Sequence, residues 1–317
     1  MLKQITAFTL CSMLFCGSMQ AVTPEEELKQ LQKYAAEGNA SAQNNLGYLY
    51  RNGKGVPKDD VEALKWYRLS AAQGNASAQF NIGYMYDEGK GVVKDKAEAV
   101  KWYVLSATQG NASAQNNLGY MYRHGDGAIA NKAEALKWYR LAAAQGNVNA
   151  QSNLGMMYKN GEGVPVDNVE ALKWLRLAVA QGNANAQNAL GLMYQSGAGV
   201  PVDNVEALKL YGLAAVQDHA DAQHNLGMMY QNGAGVTQDY VEALKWYRLS
   251  AAQGNAQAQY NIGVLCSEGK GVALDKAEAL KWFHLAAAQG HAGAQNSLGV
   301  MYQNGAGIVP DYTEAAK

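Results

Sequence analysis

Side chains suited to metal binding come closest together in one short stretch, which contains Asp218, His219, Asp221 and His224. Carboxylates and imidazoles are ligands for Zn²⁺ and Ni²⁺, but this spacing matches no recognised metal motif. The five histidines form no His-Glu-x-x-His pattern, and neither a phosphate-binding loop nor a catalytic triad signature is present. We therefore predict no metal site, no cofactor and no catalytic centre. The function is expected to depend on the fold and on the surface that it presents.

The composition is that of a folded protein without a strong charge preference. Apolar residues make up 48% of the 317 residues and charged residues 17%, which is enough apolar material to bury a core. The 26 basic and 27 acidic residues leave a net charge of −1. Proteins that bind nucleic acid usually carry a basic surface, so we expect no nucleic-acid partner.

Tryptophan, leucine and glycine recur at one fixed interval. Successive tryptophans are 36 residues apart, except where Leu210 replaces one of them. The same interval separates eight Leu-Gly or Ile-Gly pairs, and residues 61–76 are identical to residues 241–256. A strict period in this range is typical of a solenoid, in which each unit buries its apolar face against its neighbours. We expect eight units: 38–73, 74–109, 110–145, 146–181, 182–217, 218–253, 254–289 and the incomplete 290–317.

Each unit is predicted to contain two helices, which we call helix A and helix B. In the first unit, helix A runs over residues 40–52, between the N-cap Asn39 and a helix-ending glycine. Helix B begins after Asp59, which forms an Asp-x-x-Glu pattern with Glu62. This pattern resembles a capping box, in which the two side chains satisfy backbone N–H groups at the helix start.

The packed faces are predicted from residues three or four apart. They comprise Ala42, Leu46, Leu49 and Tyr50 on helix A, and Val61, Leu64, Tyr67, Ser70 and Ala71 on helix B. Gly47 lies inside helix A, where glycine costs about 1 kcal/mol relative to alanine, so we expect it to permit close helix packing. Trp66 and its equivalents keep one register, which favours structural anchors over ligand-stacking rings.

Together these residues form the run A-x-x-x-L-G-x-M-Y-x-x-G-x-G-V-x-x-D-x-x-E-A-x-K-W-Y-x-x-A-A-x-Q-G, which resembles the Sel-one-like repeat, a relative of the tetratricopeptide repeat. The resemblance covers residues 38–317. It implies an all-α fold, a right-handed α-α superhelical solenoid of eight 36-residue helix-turn-helix repeats. It also implies an adaptor for other proteins, and exported bacterial members are associated with the cell envelope, signalling or contact with a host.

Two other classes of function stay open beside the scaffold. The resemblance links cysteine-rich secreted members to hydrolysis of cell-wall or β-lactam compounds. This chain lacks their paired cysteines, and we interpret it as also lacking a Ser-x-x-Lys signature, so we prefer a non-enzymatic scaffold. The other alternative is self-association through the C-terminal repeat, which stops before its expected tryptophan.

Comparison of the eight units with one another separates fixed from variable positions on helix A. The variable positions of the first unit are 41, 44, 48, 51 and 52, which lie on one helical face. We call these positions and their equivalents in the other units the A-helix variable face. In the related solenoids the A helices line the concave surface, so this face is the predicted site for a protein or peptide partner. The candidate residues are Tyr48, Arg51, Phe80, Tyr84, Asp87, Tyr120, Arg123, His124, Met156 and Lys159.

The candidate residues resemble an interface hot spot, because they combine aromatic side chains with a charged rim. The alternative is that the three tyrosines belong to the core between repeats. A neighbouring row of asparagines is also open to two interpretations, since carboxamides suit either a peptide backbone or bonds between helices. This row comprises Asn45, Asn81, Asn117, Asn153, Asn225 and Asn261, and is interrupted by Ala189 and Ser297.

The N-terminal residues predict export. A lysine at position 3, an uncharged stretch and then small residues are typical of a secretory signal peptide, here residues 1–21. Residues 22–37 are predicted to form a capping helix that begins at Thr23-Pro24. We expect a periplasmic or secreted bacterial protein with no stable membrane span after cleavage. Cys266, the only cysteine after the signal, is expected to be a buried thiol.

Overall fold

The computed structural model describes residues 23–305 and residue 313. These residues form sixteen α-helices and no strand. The predicted signal peptide and the expected helix B of the last unit lie outside the described residues. The helices are α1 (Pro24–Ala36), α2 (Ala40–Asn52), α3 (Asp60–Ala72), α4 (Ala76–Glu88), α5 (Lys96–Thr108), α6 (Ala112–His124), α7 (Lys132–Ala144), α8 (Val148–Asn160), α9 (Asn168–Ala180), α10 (Ala184–Ser196), α11 (Asn204–Ala215), α12 (Ala220–Asn232), α13 (Tyr240–Ala252), α14 (Ala256–Glu268), α15 (Lys276–Ala287) and α16 (Ala292–Asn304).

The chain divides into two compact units, which we call the N-terminal unit (residues 1–94) and the C-terminal unit (residues 95–317). Within the N-terminal unit, each helix from α1 to α4 packs on the next. Within the C-terminal unit, α5 to α16 pack in the same order, and α8 also contacts α10. This nearest-neighbour packing confirms the prediction of an all-α solenoid, in which even-numbered helices are A helices and odd-numbered helices from α3 onward are B helices.

Side-chain caps and left-handed glycines set the helix boundaries. Asn39 Oδ1 accepts a hydrogen bond of 2.9 Å from the Ala42 N–H at the start of the first helix A. That helix ends at Gly53, whose φ of 64° is unfavourable for residues with a Cβ. In the first helix, Thr23 and Glu26 form the complete capping box, because each side chain bonds the backbone N–H of the other residue.

The capping box predicted for the B helices is only half formed. Asp59 Oδ1 does accept from the Glu62 N–H at 2.9 Å. The Glu62 side chain, however, pairs with Lys65 Nζ at 2.7 Å instead of returning to the cap. The same Glu-Lys pairing recurs at the starts of later B helices, such as Glu206 with Lys209. A lysine three residues along the helix competes successfully for the carboxylate.

The core lies where each helix A meets the following helix B. A Cβ placed on Gly47 would lie 2.8 Å from the ring of Tyr67, which is fully buried. The mid-helix glycine therefore admits the aromatic ring of helix B, which confirms the predicted close approach. Val61 was predicted to lie on the packed face, but it is 54% exposed because it precedes the buried stripe by half a turn.

The tryptophans are structural, as predicted. Trp138 is buried, and Trp66, Trp174 and Trp282 are half-buried against the hydrophobic clusters of their own repeats. The indole N–H of Trp174 donates to Glu170 Oε2 at 2.8 Å, one turn earlier in α9. Across the described ranges, no helix combines the length and apolar character that a membrane span requires.

Candidate partner-binding surface

The A-helix variable face points outward at some positions and inward at others. Tyr48 and Tyr120 are 41% and 49% exposed, so these two tyrosines are surface residues and not core. Tyr84 is half-buried. The row at position 44 departs from the prediction, because its members Ser152 and His224 are buried. The face therefore has an outward part and an inward edge that lies against the next helix A.

In the N-terminal unit, cationic side chains lie against the two tyrosines of this face. The Arg51 guanidinium lies 4.8 Å from the centre of the Tyr84 ring, and Lys90 Nζ lies at the same distance. Lys90 also donates to the Tyr84 hydroxyl at 2.9 Å, which raises the pKa of Lys90. Lys54 donates to the Tyr48 hydroxyl at 3.3 Å. Cations near aromatic faces are favourable, so each ring is held in a defined position.

Sequence reasoning did not find Lys54 and Lys90. Both lie in the loop after helix A, six residues beyond a tyrosine of the variable face. The sequence did contain a signal for these two lysines, because each follows a tyrosine of the variable face by the same six residues. The remaining candidates of this unit, Phe80 and Asp87, are half-buried on α4.

In the C-terminal unit, Tyr120 and His124 form an exposed pair at the end of α6. Their ring centres are 4.1 Å apart, and His124 Nδ1 lies 2.9 Å from the Tyr120 carbonyl oxygen. Met156 and Lys159 follow on α8, where both are half-buried, and Met156 packs against the core of the unit. Met156 and Lys159 are therefore less exposed than Tyr120 and His124.

Arg123, another candidate, is engaged within the protein. Its guanidinium donates two hydrogen bonds of 2.8 Å to Glu162, which lies in the loop after α8. Glu162 also accepts from Asn160 at 3.1 Å, and Lys132 lies 4.0 Å away. Hydrogen bonding to Arg123 lowers the pKa of Glu162 to about 2. Arg123 thus links one repeat to the next, and its positive charge is already paired with the Glu162 carboxylate within the protein.

The asparagine row forms hydrogen bonds between successive A helices. Asn81 Nδ2 donates to Asn44 Oδ1 at 3.0 Å, and Asn225 Nδ2 donates to Asn188 Oδ1 at 3.0 Å. We call this series the asparagine ladder. It supports the structural interpretation of the row, since Asn81, Asn153 and Asn225 each donate to an asparagine of the preceding helix A.

The histidines near the possible metal cluster have separate structural roles. His219 caps α12, where its Nδ1 accepts from the Ala222 N–H at 3.2 Å. His224 takes the place of asparagine in the ladder, and its Nε2 accepts from Asn261 at 3.1 Å. Burial lowers the pKa of His224, which favours the neutral ring that this bond requires. In the part of the chain that is described, no group of three or more His, Cys, Asp or Glu residues is placed to hold a metal ion.

The interpretation that the chain lacks a Ser-x-x-Lys signature is wrong, because one such sequence runs from Ser267 to Lys270. Its two side chains are not paired, because Ser267 Oγ donates to the Val264 carbonyl at 2.8 Å while Lys270 pairs with Glu268 at 2.8 Å. A serine nucleophile needs a base within hydrogen-bond reach.

Cys266 is 2% exposed, as predicted, and burial raises the pKa of its thiol.

Helix pairs of one register, with a packed fixed face and an outward variable face, define a helical-repeat solenoid. The Sel1 repeat model matches residues 40–75, 76–111, 112–147, 148–183, 184–219, 220–255, 256–291 and 292–317. The chain therefore belongs to the Sel1 repeat family. Proteins of this family are generally protein-interaction scaffolds, and their fold is typically non-catalytic.

Two solved structures of this family are similar to the chain. A protective antigen of uropathogenic Escherichia coli strains, which displays an SLR fold, is 39% identical with a TM-score of 0.77, over 91% of this chain and 62% of that one. A Sel1 repeat protein from Oxalobacter formigenes is 35% identical with a TM-score of 0.67, over 87% and 80% of the two chains. The chain thus spans less than two thirds of the length of the Escherichia coli protein. A comparison with curated proteins found no match.

Proposed function

We propose that this protein is an exported scaffold that holds a protein or peptide through its A-helix variable face. The observation that carries the proposal is the exposure of Tyr48 and Tyr120, at 41% and 49%, on helices whose other large apolar residues are buried or half-buried. Exposed tyrosines with a charged surround are typical of interface hot spots. The cations beside Tyr48 and Tyr84 favour a partner segment that carries carboxylates.

Export is supported by the signal-like residues 1–21, and it would place the surface in the cell envelope or outside the cell. The protective antigen from Escherichia coli suggests one setting, contact with a host, for a protein of this kind. The scaffold is preferred over the hydrolase because the Ser267 and Lys270 side chains are bound to other groups.

The experiment places a photo-crosslinking amino acid at position 48 or 120 in the producing cell, and identifies the captured protein. Replacement of both tyrosines, Tyr48→Ala and Tyr120→Ala, is then expected to weaken binding of that protein by at least about 30-fold, since hot-spot truncations cost about 2 kcal/mol or more. Helical content should persist because both rings are exposed.

A matched control removes equally exposed side chains from B helices. Leu69 and Leu141 are 51% and 45% exposed, and their replacement by alanine should leave binding unchanged. Equal loss of binding in both double variants would reject the variable face as the docking site. Loss of helical content in the tyrosine variant would show that these rings support the fold.

A further inference from the structure

Two histidines of the C-terminal unit cap A helices. His219 is the N-cap of α12, where its Nδ1 accepts from the Ala222 N–H at 3.2 Å. His291 is the N-cap of α16, where its Nδ1 accepts from the Ala294 N–H at 3.0 Å. Asparagine holds the same position at the start of the other A helices. A carboxamide does not titrate in water, so only these two A-helix caps are able to take up a proton.

The second ring nitrogen of each cap binds the preceding helix A. His219 Nε2 donates to Asn185 Oδ1 of α10 at 3.0 Å. His291 Nε2 donates to Gln257 Oε1 of α14 at 3.0 Å, and its ring stacks on Tyr260 with centres 4.6 Å apart. A ring that accepts at Nδ1 and donates at Nε2 is neutral.

Protonation of these two rings is incompatible with their contacts. A proton on Nδ1 would point at the backbone N–H that it now binds, and a backbone donor cannot reverse its direction. The positive charge would also lie at a helix N-terminus, where cations are disfavoured. Loss of the cap would move the ring and break its bond to the preceding helix A.

His224 belongs to the junction between these two, from α12 to α14. Its Nε2 accepts from Asn261 Nδ2 of α14 at 3.1 Å. Burial lowers the pKa of His224, and this effect outweighs the opposite effects of a hydrogen bond with Asn225 and of the Asp221 carboxylate. From α13, the Tyr247 ring lies 5.7 Å away, and burial raises the pKa of that phenol, which keeps it uncharged.

The sign of the pH dependence follows for His224. Its pKa in the folded protein lies below the ordinary value of 6.5, so the unfolded chain binds this proton more readily. The stabilisation is fully present above the ordinary value and is lost as the pH falls below it.

The neighbours of the two caps offer little compensation for a positive ring. Asp218 and Asp221 flank His219 in sequence, but Asp221 already accepts from Asn255 Nδ2 at 3.0 Å. The α14 side chains that contact His291 are a carboxamide and a phenol, and neither supplies a carboxylate.

We propose that the three successive junctions joining α10, α12, α14 and α16 form an acid-sensitive segment, whose packing loosens when its histidines become protonated. The earlier junction of the same unit, from α6 to α8, is joined by Asn116 and Asn153 and stays packed. The inference does not depend on the proposed function, because no partner takes part.

The test is hydrogen exchange of the purified chain, followed by mass spectrometry at about pH 7.5 and about pH 5, on either side of the range in which imidazoles titrate. Each rate is divided by the intrinsic rate at that pH. Protection of residues 184–304 is expected to fall about 30-fold in acid, as for loss of two helix caps, while residues 112–160 keep theirs.

A triple variant removes the protons and keeps the bonds. It places asparagine, which the other repeats carry at the cap position and at the ladder position, at all three sites: His219→Asn, His224→Asn and His291→Asn. This variant should fold as the natural chain does at neutral pH and retain its protection in acid.

The matched control replaces the two remaining histidines, His124→Asn and His284→Arg, with residues that equivalent positions hold at Asn52 and Arg68. His124 donates to a carbonyl oxygen and His284 lies 3.1 Å from the Tyr302 hydroxyl, so both rings tolerate a proton. This double variant should lose protection in acid as the natural chain does.

Three results would overturn the inference: no loss of protection in acid, an equal loss over residues 112–160, or a loss that persists in the triple variant. If the triple variant does not fold, ring nitrogen chemical shifts of the natural chain decide. Protection of the Ala222 and Ala294 amides must then disappear together with the neutral rings, and a loss while the rings are still neutral rejects the inference.

Discussion

At the residue scale, the contact between Arg123 and Glu162 shows how position decides the role of a charge. Both side chains are largely shielded, with 16% and 19% exposure, and two bonds of 2.8 Å join them. The later residue Gln195 holds the position of Arg123, and Ala198 holds that of Glu162. The ion pair is therefore local reinforcement, and the fold does not depend on it in every repeat.

Replacing Glu162 with Gln should destabilise the C-terminal unit by roughly 3 kcal/mol at neutral pH, at 1.36 kcal/mol per pKa unit. The pKa of Glu162 lies at about 2 in the folded protein, below its ordinary value of 4.5. The stabilisation is thus fully present above the ordinary value and is lost as the pH falls through about 2. Urea unfolding of the variant and the natural chain, at pH 7 and at pH 2, measures this difference.

The control for that experiment is Glu206→Gln. Glu206 pairs with Lys209 on the surface of α11, and the lysine side chain is 64% exposed. Exposed pairs of this kind contribute about 0.5 kcal/mol or less. Equal effects of the two variants, or no effect of Glu162→Gln at neutral pH, would contradict the proposed role of Arg123.

At the scale of the element, one glycine per helix A decides how closely the two helices of a repeat approach. A Cβ on Gly119 would lie 2.8 Å from two ring carbons of Tyr139, a residue with no exposed surface. The ring cannot withdraw without breaking its own packing. Close contacts of this kind with helix B explain why six helix interiors retain a residue with poor helix propensity, namely those with Gly47, Gly119, Gly155, Gly191, Gly227 and Gly263.

The substitution Gly119→Ala is therefore expected to destabilise the C-terminal unit by about 1–3 kcal/mol, as overpacking does. Gly212 provides a matched comparison in the same unit, because it is also helical and nothing lies within 4 Å of its missing Cβ. Gly212→Ala should stabilise by about 0.5–1 kcal/mol through helix propensity. Thermal unfolding followed by circular dichroism would contradict this account if both variants shifted in the same direction.

At the scale of the whole molecule, packing between neighbours in sequence leaves the outward part of the variable face available on the described A helices. Fixed residues satisfy that packing in each repeat, so only the variable face can change without loss of the fold. A scaffold whose packing residues are fixed can change the residues of its partner surface and keep its fold. The exposed tyrosines and the interrupted ladder are both products of such variation.

Export is the prediction that belongs to this scale. Expressed in a bacterium with two membranes, the chain should appear outside the cytoplasm with Val22 as its first residue, since cleavage is expected after Ala21. Intact-mass measurement of the periplasmic and culture fractions checks this. The variant Ala21→Asp should block processing, and an unprocessed natural chain that stays in the cytoplasm would reject export.

The sequence by itself determined the helices, their boundaries and their order. A 36-residue period, Asn and Asp caps, and left-handed glycines are local signals, so helix α2 was predicted at the bounds that it has. The outward part of the variable face, which includes Tyr48 and Tyr120, also followed from sequence, because comparison among eight repeats separates fixed positions from variable ones. The sequence did not predict that the Glu62 carboxylate pairs with Lys65 and not with the backbone of the cap residue. That choice depends on the positions of the side chains in the folded helix.

Only the tertiary structure decided which side chains are buried and which form hydrogen bonds or ion pairs with other residues. Tyr48 is exposed and Ser152 is buried, although both occupy variable positions of helix A. Arg123 is engaged by a residue of the following repeat, and no pattern in its own repeat reveals that partner. Burial and hydrogen bonding depend on distances between residues far apart in sequence, which a local periodicity does not contain.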